Sequence, residues 1–162
     1  MIDKILNYQR VEYYCKLSAQ DFKTRLSRVL NLKGYNLSGK FTSDRDFKLS
    51  DAWTIGIFIQ SFENDPAYLK GRIKDSKEGI IVDVLVRPNS IFSIFGLLFP
   101  LIGIYTLISS DFGKAAEGAI FFIIFGLIWY LIGIYLKVRI RNKFEDYLGL
   151  ERPNRKQRAT TR

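Results

Sequence analysis

Three cations spaced two apart, Lys70, Arg72 and Lys74, are the residues whose type and spacing point most directly to chemistry. On a strand successive side chains alternate between faces, so all three leave one face while Leu69, Gly71 and Ile73 turn inward. A stripe of ammonium and guanidinium groups attracts phosphates. Arg25 and Arg28 share one face of an earlier helical segment, and Lys40, Arg45 and Lys48 lie on intervening strands and their turn. The candidate ligand-binding set is therefore Lys70, Arg72, Lys74, Arg25 and Arg28, with Trp53, Phe58 and Tyr68 available to stack on a base. The competing account of the same residues is a solvated face drawn to anionic lipid, at about 1 kcal/mol per basic residue near the surface.

Other chemistries lack their residues. The chain has no histidine, which removes imidazole acid–base catalysis, a His-ligated zinc and a His-based pH switch. A lone cysteine, Cys15, forms no internal disulfide and fits a reducing compartment. Phosphate loops, dinucleotide glycine motifs, metal-ligand spacings and nucleophile arrangements are all missing, so no catalytic residue, metal site or cofactor is expected, and the chain is read as a non-enzyme.

The elements that must position the basic stripe follow from periodicity. Val11 to Leu17 reads as a short strand. Ser18 then opens a helix with Asp21 three residues on, a short capping box. Phe22, Leu26, Val29 and Leu30 fall on one helical face, and Gly34 is expected to end the helix. From Tyr35 the period becomes two: Tyr35, Leu37, Gly39 and Phe41, then Phe47 and Leu49, then Ile55, Ile57 and Ile59, then Leu69 and Ile73, then Ile80, Val82, Val84 and Val86. Turns fall at Ser43-Asp44, at Glu63-Asn64-Asp65-Pro66 and at Ser76-Lys77-Glu78-Gly79. Residues 1–88 thus read as an α+β cytoplasmic domain, one helix with an antiparallel meander of about five strands. The first ten residues lack the apolar core of a signal peptide, which keeps this domain in the cytoplasm.

The 48% apolar fraction is concentrated further on. Between Arg87 and Asp111 lie 23 residues without a formal charge, and between Glu117 and Lys137 another 19, each enough to cross about 30 Å of hydrocarbon as a helix. Net charge runs +4 over the first part, −1 over the connection and +6 after Tyr135, within a total of +9. By the positive-inside rule both termini are cytoplasmic and the short loop is outside. Residues 89–137 read as a transmembrane helical hairpin in the inner membrane, and 138–162 as a basic juxtamembrane helix and tail.

The two spans resemble each other. The stretches 94–105 and 124–135 match at nine of twelve positions, an inverted repeat once the helices run in opposite directions. Gly96 and Gly103 are seven apart, as are Gly126 and Gly133, so each helix carries a small-residue groove for close packing, which either only closes the hairpin or closes it with one glycine face and leaves the other for an oligomer. Pro100 lacks the N–H that would bond to Gly96, and a bend is expected there. These five residues, Gly96, Pro100, Gly103, Gly126 and Gly133, are the helix-packing and pore candidates. Neither span carries a charged residue, so any pore is apolar.

A small cytoplasmic domain, residues 1–88, fused to the hairpin at 89–137 looks like the two-transmembrane effectors of bacterial anti-phage systems, including the Hailong type. That resemblance implies a nucleotidyltransferase partner gene, a nucleotide or single-stranded DNA ligand and antiviral defence, and it carries over no residue roles. Two functions stand open: an oligomeric, ligand-controlled channel or pore-forming effector, and a non-conducting membrane anchor or assembly subunit whose cytoplasmic domain binds another protein. Membrane lipids and further copies of the chain are partners in the first.

Overall fold

The computed structural model describes residues 7–32, 37–51, 67–109 and 112–150, with backbone only at 112–115. Strand β1 (Gln9–Cys15) leads to helix α1 (Ala19–Asn31), then β2 (Leu37–Phe41), β3 (Asp46–Asp51), β4 (Ala67–Ser76) and β5 (Gly79–Pro88), and finally helices α2 (Ser90–Ser109) and α3 (Phe112–Leu148). The short capping box forms as expected: Asp21 N–H donates to Ser18 Oγ at 3.1 Å, and the Ser18 hydroxyl donates to the Asp21 carboxylate at 2.6 Å. Helix α1 ends at Asn31, with Leu32 extended as its cap, ahead of Gly34, which lies outside the described residues.

The five strands make one antiparallel sheet in the order β1-β5-β4-β3-β2. An α+β domain with five antiparallel strands and a helical hairpin is what the sequence led us to expect, and β2 to β5 follow one another as a meander. Strand β3 pairs directly with β4, from Asp46 opposite Arg72 to Ser50 opposite Tyr68. The expected strand at Ile55, Ile57 and Ile59 and the turn at 63–66 lie outside the described residues. The fifth strand is instead β1, laid along β5 with Val11 opposite Val84 and Tyr13 opposite Val82. It covers the edge of β5, which thereby becomes an interior strand. The β4–β5 turn closes on Gly79, at φ 138°, where any side chain would also run into the Cys15 carbonyl.

One face of the sheet holds the core. Tyr13, Phe47, Leu49, Leu69, Ile73 and the valines of β5 meet Phe22 and Leu26 of α1 and Leu136, Ile140, Phe144 and Leu148 of α3. The Phe144 ring sits 5.9 Å from both Phe47 and Tyr13. At about 1.5–3 kcal/mol for each buried large side chain, this packing dominates the domain.

Helix α3 is 37 residues long, roughly 55 Å. Its first part pairs with α2, and its last three turns enter the sheet core without interruption. The segment expected as a juxtamembrane amphipathic helix is thus part of the folded domain: Ile140, Phe144 and Leu148 are covered by the sheet. The helix stops at Gly149, φ 61°, where Leu150 N–H bonds the Glu145 carbonyl and Gly149 N–H that of Asp146, the paired bonds of a Schellman cap.

Two helices, Ser90–Ser109 and Ala116–Leu148, are long and apolar enough to cross a membrane, and only 22% of each apolar stretch is buried. Core helices of soluble proteins are mostly buried, so these surfaces call for an apolar surrounding. The junction to the sheet is one residue long: β5 ends at Pro88, and Asn89 caps α2, its Oδ1 accepting from Ile91 N–H at 3.0 Å.

The hairpin explains the sequence repeat. A Cβ on Gly96 would lie 2.8 Å from Tyr130 Cβ, and one on Gly126 would overlap the Pro100 ring. Gly96 corresponds to Gly126 in the repeat and Pro100 to Tyr130, so the two contacts are one contact seen from either helix. Likewise Gly103 packs on Ala119 and Ile123, while its counterpart Gly133 packs on Phe92. The repeat is an approximate twofold relation between antiparallel helices, in which each glycine of one helix packs on a larger residue of the other.

Candidate anion-binding face

The open face of the sheet carries the side chains that alternate with the core. In β4 the burial pattern is the one expected from sequence: Leu69, Gly71 and Ile73 are buried, while Lys70, Arg72 and Lys74 are exposed. Strand register then arranges this face in rows across the strands. One row holds Lys40, Lys48, Lys70, Leu85 and Arg10. The next holds Asp46, Arg72, Asp83 and Glu12. The row on the other side holds Ser38, Ser50, Tyr68 and Arg87.

Carboxylates serve only part of this set. Asp46 accepts from Arg72 Nε at 2.6 Å, and Asp83 accepts from Arg10 through two nitrogens, at 2.8 and 2.7 Å, and from Lys74 at 3.0 Å. Asp83 is 5% exposed, and the Arg10 guanidinium, helped by Lys74, holds its carboxyl below the usual carboxylate range. Asp46 is likewise held low, by Arg72 first and by the Ser43 hydroxyl second. Two of the three stripe residues, Arg72 and Lys74, are thus neutralised within the fold. Lys70 has no carboxylate partner among the described residues, and neither have Lys40 and Lys48.

Arg25 and Arg28 are not part of this face. They sit exposed on α1, which covers the opposite side of the sheet through Phe22 and Leu26, and with Leu17, Asp21 and Thr24 they border a shallow depression. The two halves of the expected ligand set are separated by the thickness of the domain. The helix-packing set does come together, since all four glycines and Pro100 lie in the α2–α3 contact. Each glycine is occupied by the partner helix of the same chain.

Sequence reasoning missed two features. The row Lys40, Lys48, Lys70 depends on register, which no one-strand pattern contains. The second is a set of polar contacts that fixes α3 to the sheet. Asp51, fully buried at the end of β3, accepts from Lys143 at 2.7 Å and has Arg139 Nε at 3.3 Å. Tyr13 donates to the buried Glu145 at 2.7 Å, Arg141 to Gln9 at 2.9 Å, and Lys137 to Asn7. Basic residues that read as a membrane-facing stripe are thereby partly consumed inside the protein. Among the described residues no three His, Cys, Asp or Glu side chains gather to hold a metal ion. Compared with protein-family models, curated proteins and solved structures, the chain matches none.

Proposed function

We propose that this chain is an integral protein of a bacterial inner membrane, with both termini cytoplasmic, that assembles into a homo-oligomer and acts as a channel or pore-forming effector controlled by an anionic ligand. The observation that carries the reading is α3, one unbroken helix that is both half of the apolar hairpin and the centre of the sheet core. A ligand that prefers one arrangement of the sheet shifts the hairpin with it, and only by its difference in affinity for the two arrangements. Two spans cannot enclose a path alone, so conduction requires several copies. The wide exposed apolar surface, including Leu101, Ile108, Phe121 and Leu131, is available for lipid and for neighbouring copies. A nucleotide or single-stranded DNA fits the ligand chemistry, and a neighbouring nucleotidyltransferase gene in a defence locus is the partner that would supply it.

The test joins topology, mass and flux. In a Cys15→Ser background, Gly113→Cys should label from outside the inner membrane without permeabilisation. Light scattering in mild detergent should give a multiple of the monomer mass, and dye release from liposomes should change with a short single-stranded oligodeoxynucleotide. A monomer with no release, or labelling only after permeabilisation, overturns the proposal. A second reading, a non-conducting anchor whose cytoplasmic domain binds another protein, draws support from the glycines, because every one of the four is used inside the hairpin and none is left to hold copies together.

A further inference from the structure

We infer that the cross-strand row Lys40, Lys48 and Lys70 is a binding site for a run of two or three phosphates. It rests on the reading above only for what binding would control, not for binding itself. Register sets Lys40 opposite Lys48 and Lys48 opposite Lys70 on adjacent strands. Directly opposed side chains have Cβ atoms about 5 Å apart, and like charges placed so destabilise a sheet. The fold could relieve them with the carboxylates of the neighbouring row, but Asp46 turns to Arg72 and Asp83 to Arg10 and Lys74. Among the described residues, charge is therefore balanced one row away and left unbalanced here.

The site is partly organised in advance. Lys48 lies 4.6 Å from the centre of the buried Tyr68 ring, which also carries the Arg87 guanidinium at 5.4 Å. The cation–π contact limits where the Lys48 ammonium can go, and so lowers the cost of ordering it on a ligand. Across three strands the row spans about 10 Å, the reach of a few linked phosphates. A concavity of about 550 Å³ adjoins it, bordered by Lys48 and Lys70 of the row and, from the neighbouring row, by the Asp46–Arg72 pair and by Asp83 with its partners Arg10 and Lys74; Lys40 lies outside it. The source of the phosphates is either soluble or lipid. Lys70 lies three residues along β4 from Ala67, which pairs with Pro88 at the entry to α2, so the row is about 10 Å from the hairpin, near enough for headgroups.

The experiment uses the full chain in nonionic detergent at low salt, with inorganic tripolyphosphate as one probe and phosphatidylglycerol against phosphatidylcholine as the other. Tripolyphosphate binding by calorimetry should weaken on the order of 100-fold in Lys40→Gln/Lys48→Gln/Lys70→Gln, at roughly fivefold per charge. It should change less than threefold in Arg72→Gln/Lys74→Gln, whose cations are already paired. The lysine variant should melt close to wild type without ligand, because the repulsion it removes offsets the lost contact of Lys48 with Tyr68. If only phosphatidylglycerol raises the melting temperature, and does so for wild type but not for the lysine variant, the same phosphate site is filled from lipid. Equal binding of both probes by wild type and lysine variant, or no binding of either probe, overturns the site. Equal tripolyphosphate binding by the lysine variant, with flux that still responds to oligonucleotide, overturns the site and leaves the effector reading standing. Binding at the row with no effect on flux does the reverse.

Discussion

The two halves of α3 solve the same problem with different surroundings. In the upper half Phe121, Leu127 and Leu131 are more than half exposed, at 61%, 53% and 61%, while in the lower half Ile140 and Phe144 are fully buried. Upper-half packing is confined to one seam, where glycine admits the other helix. The lower half is covered on its apolar side by a sheet and fixed on its polar side by Asp51, Tyr13, Gln9 and Asn7. The difference teaches that one helix acquires its structure twice: from close backbone approach where the surroundings are apolar, and from burial with paired charges where they are aqueous. In hydrocarbon a Leu gains nothing by leaving lipid for protein, so shape decides. Beside water the hydrophobic effect decides.

The largest expected effect breaks the lower half. Asp51→Asn leaves Lys143 and Arg139, which are 15% and 21% exposed, facing a buried neutral group. Removing one partner of a buried ion pair costs about 3–5 kcal/mol. Circular dichroism melts of the full chain in detergent should show the sheet domain destabilised by this amount, with the helical signal of the hairpin retained. Unchanged melting would mean that α3 is held to the sheet by its apolar side alone.

How much of this was legible in the sequence differs between the halves for the same reason. The two apolar runs, the glycine spacing and the repeat are one-dimensional patterns, and they placed the hairpin and its seam. Likewise the alternation of Lys70, Arg72 and Lys74 gave their face. What escaped were relations between distant residues: the lysine row needs the register of three strands, and Asp51 needs to meet Lys143 across 92 positions. Residues 138–148 satisfy two patterns at once, since apolar residues at helical spacing with interleaved cations suit either a lipid surface or a sheet with buried acids. Only the presence of Asp51 and Glu145 at the right places separates them. Arg25 and Arg28 were grouped with the stripe by charge, whereas the burial of Phe22 and Leu26 turns their helix to the other side.

The next effect breaks the upper half. Gly126→Ala introduces a methyl where the Pro100 ring already lies, and overpacking of this kind costs about 1–3 kcal/mol. Because the contact repeats, Gly96→Ala against Tyr130 should cost a similar amount, and a cysteine pair across α2 and α3 should cross-link more slowly in both. Equal cross-linking in all three proteins would remove the seam as the organising feature of the hairpin.

A smaller effect asks whether the open face contributes to the stability of the lower half's sheet. Asp83→Asn loses the carboxylate charge and one of the two oxygens that accept from Arg10 and Lys74, for about 1–2 kcal/mol at neutral pH, discounted because both cations reach solvent. The sign with pH follows from the lowered carboxyl of Asp83. The folded protein binds this proton less tightly than the unfolded chain, so the contribution is complete above the ordinary carboxylate value near 4 and is lost as pH falls through the lower folded value. Wild type and variant should differ in melting temperature at pH 7 and converge on acidification. A constant difference would assign the effect to packing.

The smallest effect sharpens the contrast inside the upper half itself. Gly118 is in α3 like Gly126, but a Cβ there meets nothing within 4 Å. If glycine in this helix serves only close approach, Gly118 has no such duty, and it still carries the backbone entropy that makes glycine about 0.5–1 kcal/mol worse than alanine in a helix. Gly118→Ala should therefore raise the melting temperature slightly, or leave it unchanged, while Gly126→Ala lowers it. The pair of substitutions is chemically identical and eight residues apart on one helix, so intrinsic helix propensity acts alike in both, and the difference between them measures the seam. Should Gly118→Ala destabilise as much as Gly126→Ala, its exposed side is in use, and a second copy of the chain packed against that side becomes the explanation to test by light scattering of the variant.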